Sequence, residues 1–303
     1  MQPSEPAGSA ELTCYRHPDR RAGVGCQRCG RPICPSCMVT ASVGFQCPEC
    51  AHQGAKQQRL VDVHRRATVP YVTYSLIAIN VLVFIVGSIA DHQANIGLSG
   101  ASGTFTSRFG ELTPCIGAGQ WYRLITGGFL HAGFLHIAFN MWALFVIGRP
   151  LEAALGRVRF SVLYAVSLVG GALGVVIVDL LGHGPYAPTV GASGAIFGLF
   201  GALAYIQYEA GVNPLRSGLG FIIGINLLFT ITIPGISIGG HVGGLLVGAA
   251  GAAIMVRGKP IGRQADSERL FRTVAIGLLA LVCLGGAAVL AHGIAAPITA
   301  CPA

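Results

Sequence analysis

Charge is what this sequence has least of. Asp, Glu, Lys and Arg make up only 11% of its 303 residues, against 52% hydrophobic ones. With a mean hydropathy of +0.64, so thin a charged fraction excludes an ordinary soluble globule, in which about a quarter of residues are charged. A polytopic membrane protein is expected instead. The first thirteen residues lack an apolar stretch ahead of a small-residue cleavage site, so no cleavable signal is expected and the N-terminus should stay on the chain. Acidic residues are scarcer than basic ones, 12 against 20 Lys and Arg. The resulting charge of +8 could point to nucleic acid, but its placement along the chain fits membrane topogenesis, and no nucleic-acid partner is predicted.

Apolar runs near 71–90, 124–148, 158–181, 191–208, 218–234, 239–256 and 271–291 each approach or reach the ~20 residues that a bilayer requires. With a cytoplasmic N-terminus, Lys56, Arg59, Arg65, Arg66, Arg149, Arg157, Arg159, Arg216 and the basic residues from Arg257 to Arg272 all fall inside. Only Arg108 and Arg123 fall outside, so the positive-inside rule sets the orientation and an odd number of spans puts the C-terminus outside. The stretch of some thirty residues after the first span is long for a connection in a bundle, and reads as either a flexible loop or an interfacial one. Asp179, near the outer end of the third span, has no functional reading beyond binding water or a loop.

Seven of the ten cysteines fall between residues 14 and 50. They are spaced as Cys14-x2-His17, Cys26-x2-Cys29, Cys34-x2-Cys37 and Cys47-x2-Cys50, with His52 just beyond. Each pair offers two ligands from one tight turn, and eight ligands fill two tetrahedral zinc sites with no position left for water. A disulfide framework is the competing reading, disfavoured on the reducing cytoplasmic side. The interleaved order resembles B-box or cross-brace fingers. That resemblance implies Cys14, His17, Cys34 and Cys37 on one ion and Cys26, Cys29, Cys47 and Cys50 on the other, although sequential pairing satisfies the same count. The basic stretch that follows reads as a linker reaching the membrane surface, where it could also meet anionic headgroups.

Inside the apolar spans, ionisable and amide side chains are costly and default to function. Ser193, in Gly191-Ala192-Ser193-Gly194, lies in the first turn of a predicted helix, where unpaired backbone amides and the helix dipole favour a developing anion. The hydrolase elbow G-x-S-x-G is absent, since Ala195 stands at its last glycine. His241 stands on a helix whose Gly240, Gly244 and Gly248 present a four-residue-spaced smooth face, so this helix can approach that of Ser193 and bring imidazole to hydroxyl. His136 and Asn140, four residues apart, share one helix face and could aim at one point or simply fasten the bundle. No acidic residue neighbours His241 in sequence, so packing must orient it.

These residues make the chain resemble the rhomboid intramembrane serine proteases over roughly 71–257. The resemblance runs through Trp121-Tyr122-Arg123, His131-x4-His136-x3-Asn140, Glu152-x3-Gly156, Gly191-Ala192-Ser193-Gly194 and His241-x2-Gly244-x3-Gly248. It implies an all-α polytopic fold: a six-helix core with a Ser–His dyad in a cavity open to the outer face, here with a seventh helix appended (6+1). Ser193 would be the nucleophile and His241 the base. His136, Asn140 and the Ser193 amide would hold the oxyanion, while His131 and Arg123 would support the loop after the first helix. Phe197 would stack beneath His241 where the family often has a tyrosine. The implied substrates are single-span membrane proteins cut near their outer end, in the lipid bilayer and without a catalytic cofactor.

The expected plan is therefore a tail at 1–13, a cytoplasmic zinc-binding domain at 14–52 offering a surface to a cytoplasmic partner, a linker at 53–70, the core at 71–257, and a loop with the seventh helix at 258–303. Two other functions compete with proteolysis. An inert rhomboid-like binder of membrane clients normally lacks one or both dyad residues, and this chain has both. A transporter needs ionisable groups along a path through several helices, whereas these cluster toward one face.

Overall fold

The computed structural model describes residues 12–40, 44–51, 69–92, 97, 103–182, 187–256, 266–293 and 301. They form two compact units, divided between Ala67 and Thr68. His52, most of the 1–13 tail, nearly all of the 53–70 linker and the 257–265 loop lie outside the described residues.

The first unit has little to bury. Two-residue strands pair antiparallel, β1 (Val24–Gly25) with β2 (Pro32–Ile33) and β3 (Val39–Thr40) with β4 (Phe45–Gln46), around a 3-10 turn at Pro35–Cys37. Its core is Ile33 and six buried cysteines, with Tyr15, Met38 and Phe45 packed against them. So small an apolar core cannot hold a domain by itself, and domains of this size need disulfides or metals.

The second unit is helical. In chain order its helices are α1 (Tyr71–Ala90), α2 (Thr104–Phe109), α3 (Thr113–Gly117), α4 (Arg123–Thr126), α5 (Phe134–Leu155), α6 (Arg157–Leu180), α7 (Ser193–Glu209), α8 (Gly218–Thr232), α9 (Ile238–Val256) and α10 (Asp266–Ala291). Five, namely α1, α5, α6, α9 and α10, are long and apolar enough to cross a membrane. The other two predicted spans, α7 and α8, are shorter at 17 and 15 residues. Large apolar side chains such as Leu82 and Ile89 on α1, Phe221 and Ile231 on α8 and Leu281 and Val282 on α10 are exposed, as lipid-facing surfaces are.

The second span, expected over 124–148, instead begins at Phe134 and runs on to Leu155 through Pro150. Its expected first turns are broken by Gly127-Gly128, which form a 3-10 turn, and by Gly133 in extended conformation. A Cβ at Gly127 would press on Glu111, so this segment needs bare backbone more than helix. At the far end, the buried Glu152 carboxylate accepts from the amides of Val72 (3.0 Å) and Thr73 (2.8 Å) and from the Thr73 hydroxyl (2.7 Å). It thereby caps the N-terminus of α1, whose first amides have no partner within the helix.

Lipid tails are as apolar as leucine, so helices in a bilayer associate through close packing of small residues. Here α9 carries that packing. A Cβ at Gly244 would run into the Gly194 carbonyl, one at Gly248 into that of Gly198, and one at Gly239 into that of Gly174. The smooth face of α9 therefore contacts α7 and α6 backbone to backbone. α10 packs on α6, and Ala287 and Ala291 share a buried cluster with Ile116, Ala172 and Val176.

From Gly103 onward, the long connection after α1 is organised by hydrogen bonds. Asp91 accepts from the Phe105 amide (2.7 Å), capping α2. Arg123 is fully buried and donates to Gln120 Oε1 (2.6 Å) and to the carbonyls of Ser107 (2.7 Å) and Gly110 (2.8 Å). Glu111 pairs backbone to backbone with Thr189, just ahead of α7. Asp179 accepts from the Thr113 hydroxyl, which gives that carboxylate its loop partner. A disulfide joins Cys115 in α3 to Cys301 at the far end of the chain, and Gly117 lies against the Ala291 backbone.

Candidate active site

Three helix N-termini converge. Ser193 is the first residue of α7, His136 lies in the first turn of α5 and His241 in the first turn of α9. Gly191 shows how close the first two are: a Cβ there would lie 2.8 Å from His136 Nε2 and 3.5 Å from Ser193 Oγ. Its φ of +129° is one that side-chain-bearing residues rarely adopt, so glycine is required here twice over. The Gly191 amide donates to the Gly127 carbonyl at 3.0 Å, which anchors the segment leading into the serine.

The His241 ring is buried and lies flat on Phe197, with centroids 4.0 Å apart and planes 14° from parallel. Phe197 is one turn from Ser193 on the same helix, so the stack ties the imidazole to the helix that carries the hydroxyl. Thr230 Oγ1, on α8, lies 2.6 Å from His241 Nδ1. Sequence reasoning did not single out Thr230. A threonine in an apolar helix carries no motif, and the only local hint was a hydroxyl on an otherwise greasy span.

The tautomer of His136 follows from its contacts. Its Nδ1 accepts from the Ala132 amide at 3.4 Å, so the ring proton sits on Nε2, the nitrogen beside Gly191. Asn140, buried one turn further along, donates one amide hydrogen to the His136 carbonyl at 2.8 Å. The other remains available. His131 lies in the segment before α5 rather than on it, buried with its ring edge-on to His136 at 5.1 Å.

In the first unit, the eight expected metal ligands form two groups, Cys14, His17, Cys34 and Cys37, and Cys26, Cys29, Cys47 and Cys50. Within each, the ligand atoms all lie within 4.8 Å of one another. Tetrahedral thiolates around zinc stand about 3.8 Å apart, from Zn–S bonds of about 2.3 Å. The Sγ atoms of Cys29 and Cys47 are 3.8 Å apart, and His17 Nδ1 is 3.3 Å from Cys37 Sγ and 3.5 Å from Cys34 Sγ. The amide of Cys47 donates to Cys26 Sγ at 3.2 Å, as amides do to thiolates. The donor sets fit two metal ions, in the interleaved arrangement.

Lipid-facing helices enclosing a hydroxyl and two imidazoles define the class, an all-helical multi-pass membrane protein with a polar site among its helix ends. Residues 118–258 match the rhomboid domain, so the chain carries that domain over a little under half of its length. Relatives include rhomboid protease GluP of Bacillus subtilis (strain 168), 34% identical over 215 residues that cover 69% of this chain and 40% of the relative. RHOMBOID-like protein 5 of Arabidopsis thaliana is 38% identical over 136 residues, 43% of this chain and 42% of the relative. Rhomboid-type serine protease 2 of Emericella nidulans is 33% identical over 140 residues, 43% of this chain and 26% of the relative. The chain thus spans under half the length of these curated relatives.

Proposed function

We propose that this protein is an intramembrane serine endopeptidase that cuts transmembrane segments of membrane-protein substrates near their outer face, with Ser193 as nucleophile and His241 as base. The observation that carries the reading is the His241 ring stacked on Phe197, one turn along the helix that begins at Ser193. Relatives named as rhomboid and rhomboid-type serine proteases support it.

The chemistry is acyl transfer. Ser193 Oγ attacks the scissile carbonyl as its proton passes to His241 Nε2. The imidazolium then protonates the leaving amine, and water deacylates the serine by the same route. Charge developing on the carbonyl oxygen meets the Ser193 amide at the start of α7, the Nε2–H of His136 and the free amide hydrogen of Asn140. A substrate helix must unwind locally to expose its peptide bond, which favours segments with small or helix-breaking residues.

Two kinds of cysteine chemistry support the orientation. Thiolate clusters belong in a reducing compartment and a disulfide in an oxidising one. Residues 14–50 are then cytoplasmic, and Cys115 and Cys301 lie outside with the C-terminus and the active site. Two structural zinc ions are the metals proposed for the clusters.

The test is cleavage of labelled single-span substrates by purified protein in liposomes. Ser193→Ala and His241→Ala should each abolish it, and the double variant should be no worse, because residues acting as one unit are non-additive. A fluorophosphonate should label only Ser193. Substantial cleavage by Ser193→Ala would sink the proposal.

A further inference from the structure

We infer that Thr230 is the positioning residue for the catalytic base: its hydroxyl oxygen accepts the Nδ1–H of His241, fixing the tautomer and aim of the imidazole where a carboxylate would stand in a triad. The inference rests on the Ser193–His241 reading and deepens it.

Two groups hold the ring of His241. Phe197 supports its face at 4.0 Å, which leaves the ring free to turn in its own plane. Its edge meets Thr230 Oγ1 at 2.6 Å. Thr230 is buried, and α8 has no other buried side chain than Leu219 at its opposite end. The one hydroxyl that α8 buries is therefore set against the imidazole.

The direction of the bond follows from proton counting. Thr230 Oγ1 carries one hydrogen and lies 2.8 Å from the Asn226 carbonyl, one turn back in α8. A carbonyl can only accept, so the hydroxyl hydrogen points to Asn226 and the oxygen offers a lone pair to the ring. The reverse arrangement would leave two oxygens 2.8 Å apart with no proton between them. His241 then carries its proton on Nδ1, and Nε2 presents the lone pair that a general base needs. During attack the Ser193 proton moves to Nε2. The Nδ1 proton stays between ring and threonine, and Thr230 takes up no proton at any step. Because threonine is stiff at χ1 and its hydroxyl is already tied back to the helix, the acceptor is held in place before substrate arrives.

A back-bonded threonine packed by its methyl group alone would occupy the same position, and the full-length protein in detergent separates the two roles. Thr230→Val keeps shape and removes the acceptor. It should lower kcat at least ~10-fold, less than the loss from a misplaced tautomer in a carboxylate triad, with KM within about twofold. Thr230→Ser restores the oxygen and should keep kcat within about threefold of wild type. Histidine-labelled NMR should show His241 as a single Nδ1–H tautomer in the wild type and a mixture in Thr230→Val. A folded Thr230→Val with wild-type kcat, a Thr230→Ser as slow as valine, or an Nε2–H tautomer in the wild type each overturns the inference. Absence of any Ser193-dependent cleavage would refute the protease reading instead, and the NMR result would still decide the Thr230 bond.

Discussion

His136 and Asn140 share a helix face but are not equivalent donors. His136 has its Nε2–H beside Gly191, whereas Asn140 already gives one hydrogen to the His136 carbonyl. Removing one oxyanion donor commonly costs on the order of 10²–10³ in rate. His136→Ala should therefore lower kcat more than Asn140→Ala, and both should lose less than Ser193→Ala. Equal and wild-type rates in the two variants would make this pair packing only. Glu111 poses a different question at the same scale. Burial, with the Asp179 carboxylate behind it, pushes the Glu111 carboxyl well above the ordinary carboxylate range. An acid whose folded pKa is raised contributes least stability where the unfolded chain ionises it, that is, above its unfolded pKa. Glu111→Gln keeps the shape and removes that penalty. Its unfolding temperature should match wild type near pH 4 and exceed it near pH 7. A lower value at pH 7 would mean that a charged Glu111 is needed.

Among the elements, α9 is defined by what its glycines touch. Gly244→Ala would push a methyl group into the Gly194 carbonyl, in the turn that carries Ser193. Overpacking of this kind costs about 1–3 kcal/mol, and activity should fall with stability. Gly277 on α10 is the control, since a Cβ there meets nothing within 4 Å. Gly277→Ala should be neutral or stabilising by up to about 1 kcal/mol, because alanine is the better helix former. Thermal unfolding in detergent distinguishes the two, and equal effects would refute the backbone-contact account. The segment after α10 also has a visible attachment, the Cys115–Cys301 bond across 186 residues of sequence. Both cysteines should resist maleimide until reductant is added. Replacing them by serine should lower the unfolding temperature, because the cross-link constrains the unfolded chain between α3 and Cys301.

For the whole molecule, the cysteine-rich unit and the membrane unit should come apart functionally. Protein purified without chelators should carry two zinc ions per chain by mass spectrometry, and their removal should unfold residues 14–50, since metal binding supplies most of the folding free energy of so small a domain. A chain starting near Ala67 should keep Ser193-dependent cleavage in detergent. Zinc content near zero would refute the sites. Loss of activity in a folded truncation would show that the finger positions the helices.

The membrane class and the candidate metal-ligand pairs were legible in the sequence, and Ser193, His241, His136 and Asn140 stood out as candidates, because each signal is written locally. A bilayer demands contiguous apolar runs, a tetrahedral ion demands closely spaced thiols, and a helix puts residues four apart on one face. Which pairs stand together was left open, and only folding, by bringing Cys14 beside Cys34, decided it. The late start of α5 escaped notice because Gly127-Gly128 is apolar enough to read as span, and only its contact with Glu111 shows why it is not helix. The partners of Asp179, Cys115 and His241 were beyond sequence reasoning for one reason. Thr113, Cys301 and Thr230 meet them across other helices, and such contacts depend on how the helices cross rather than on any spacing along the chain.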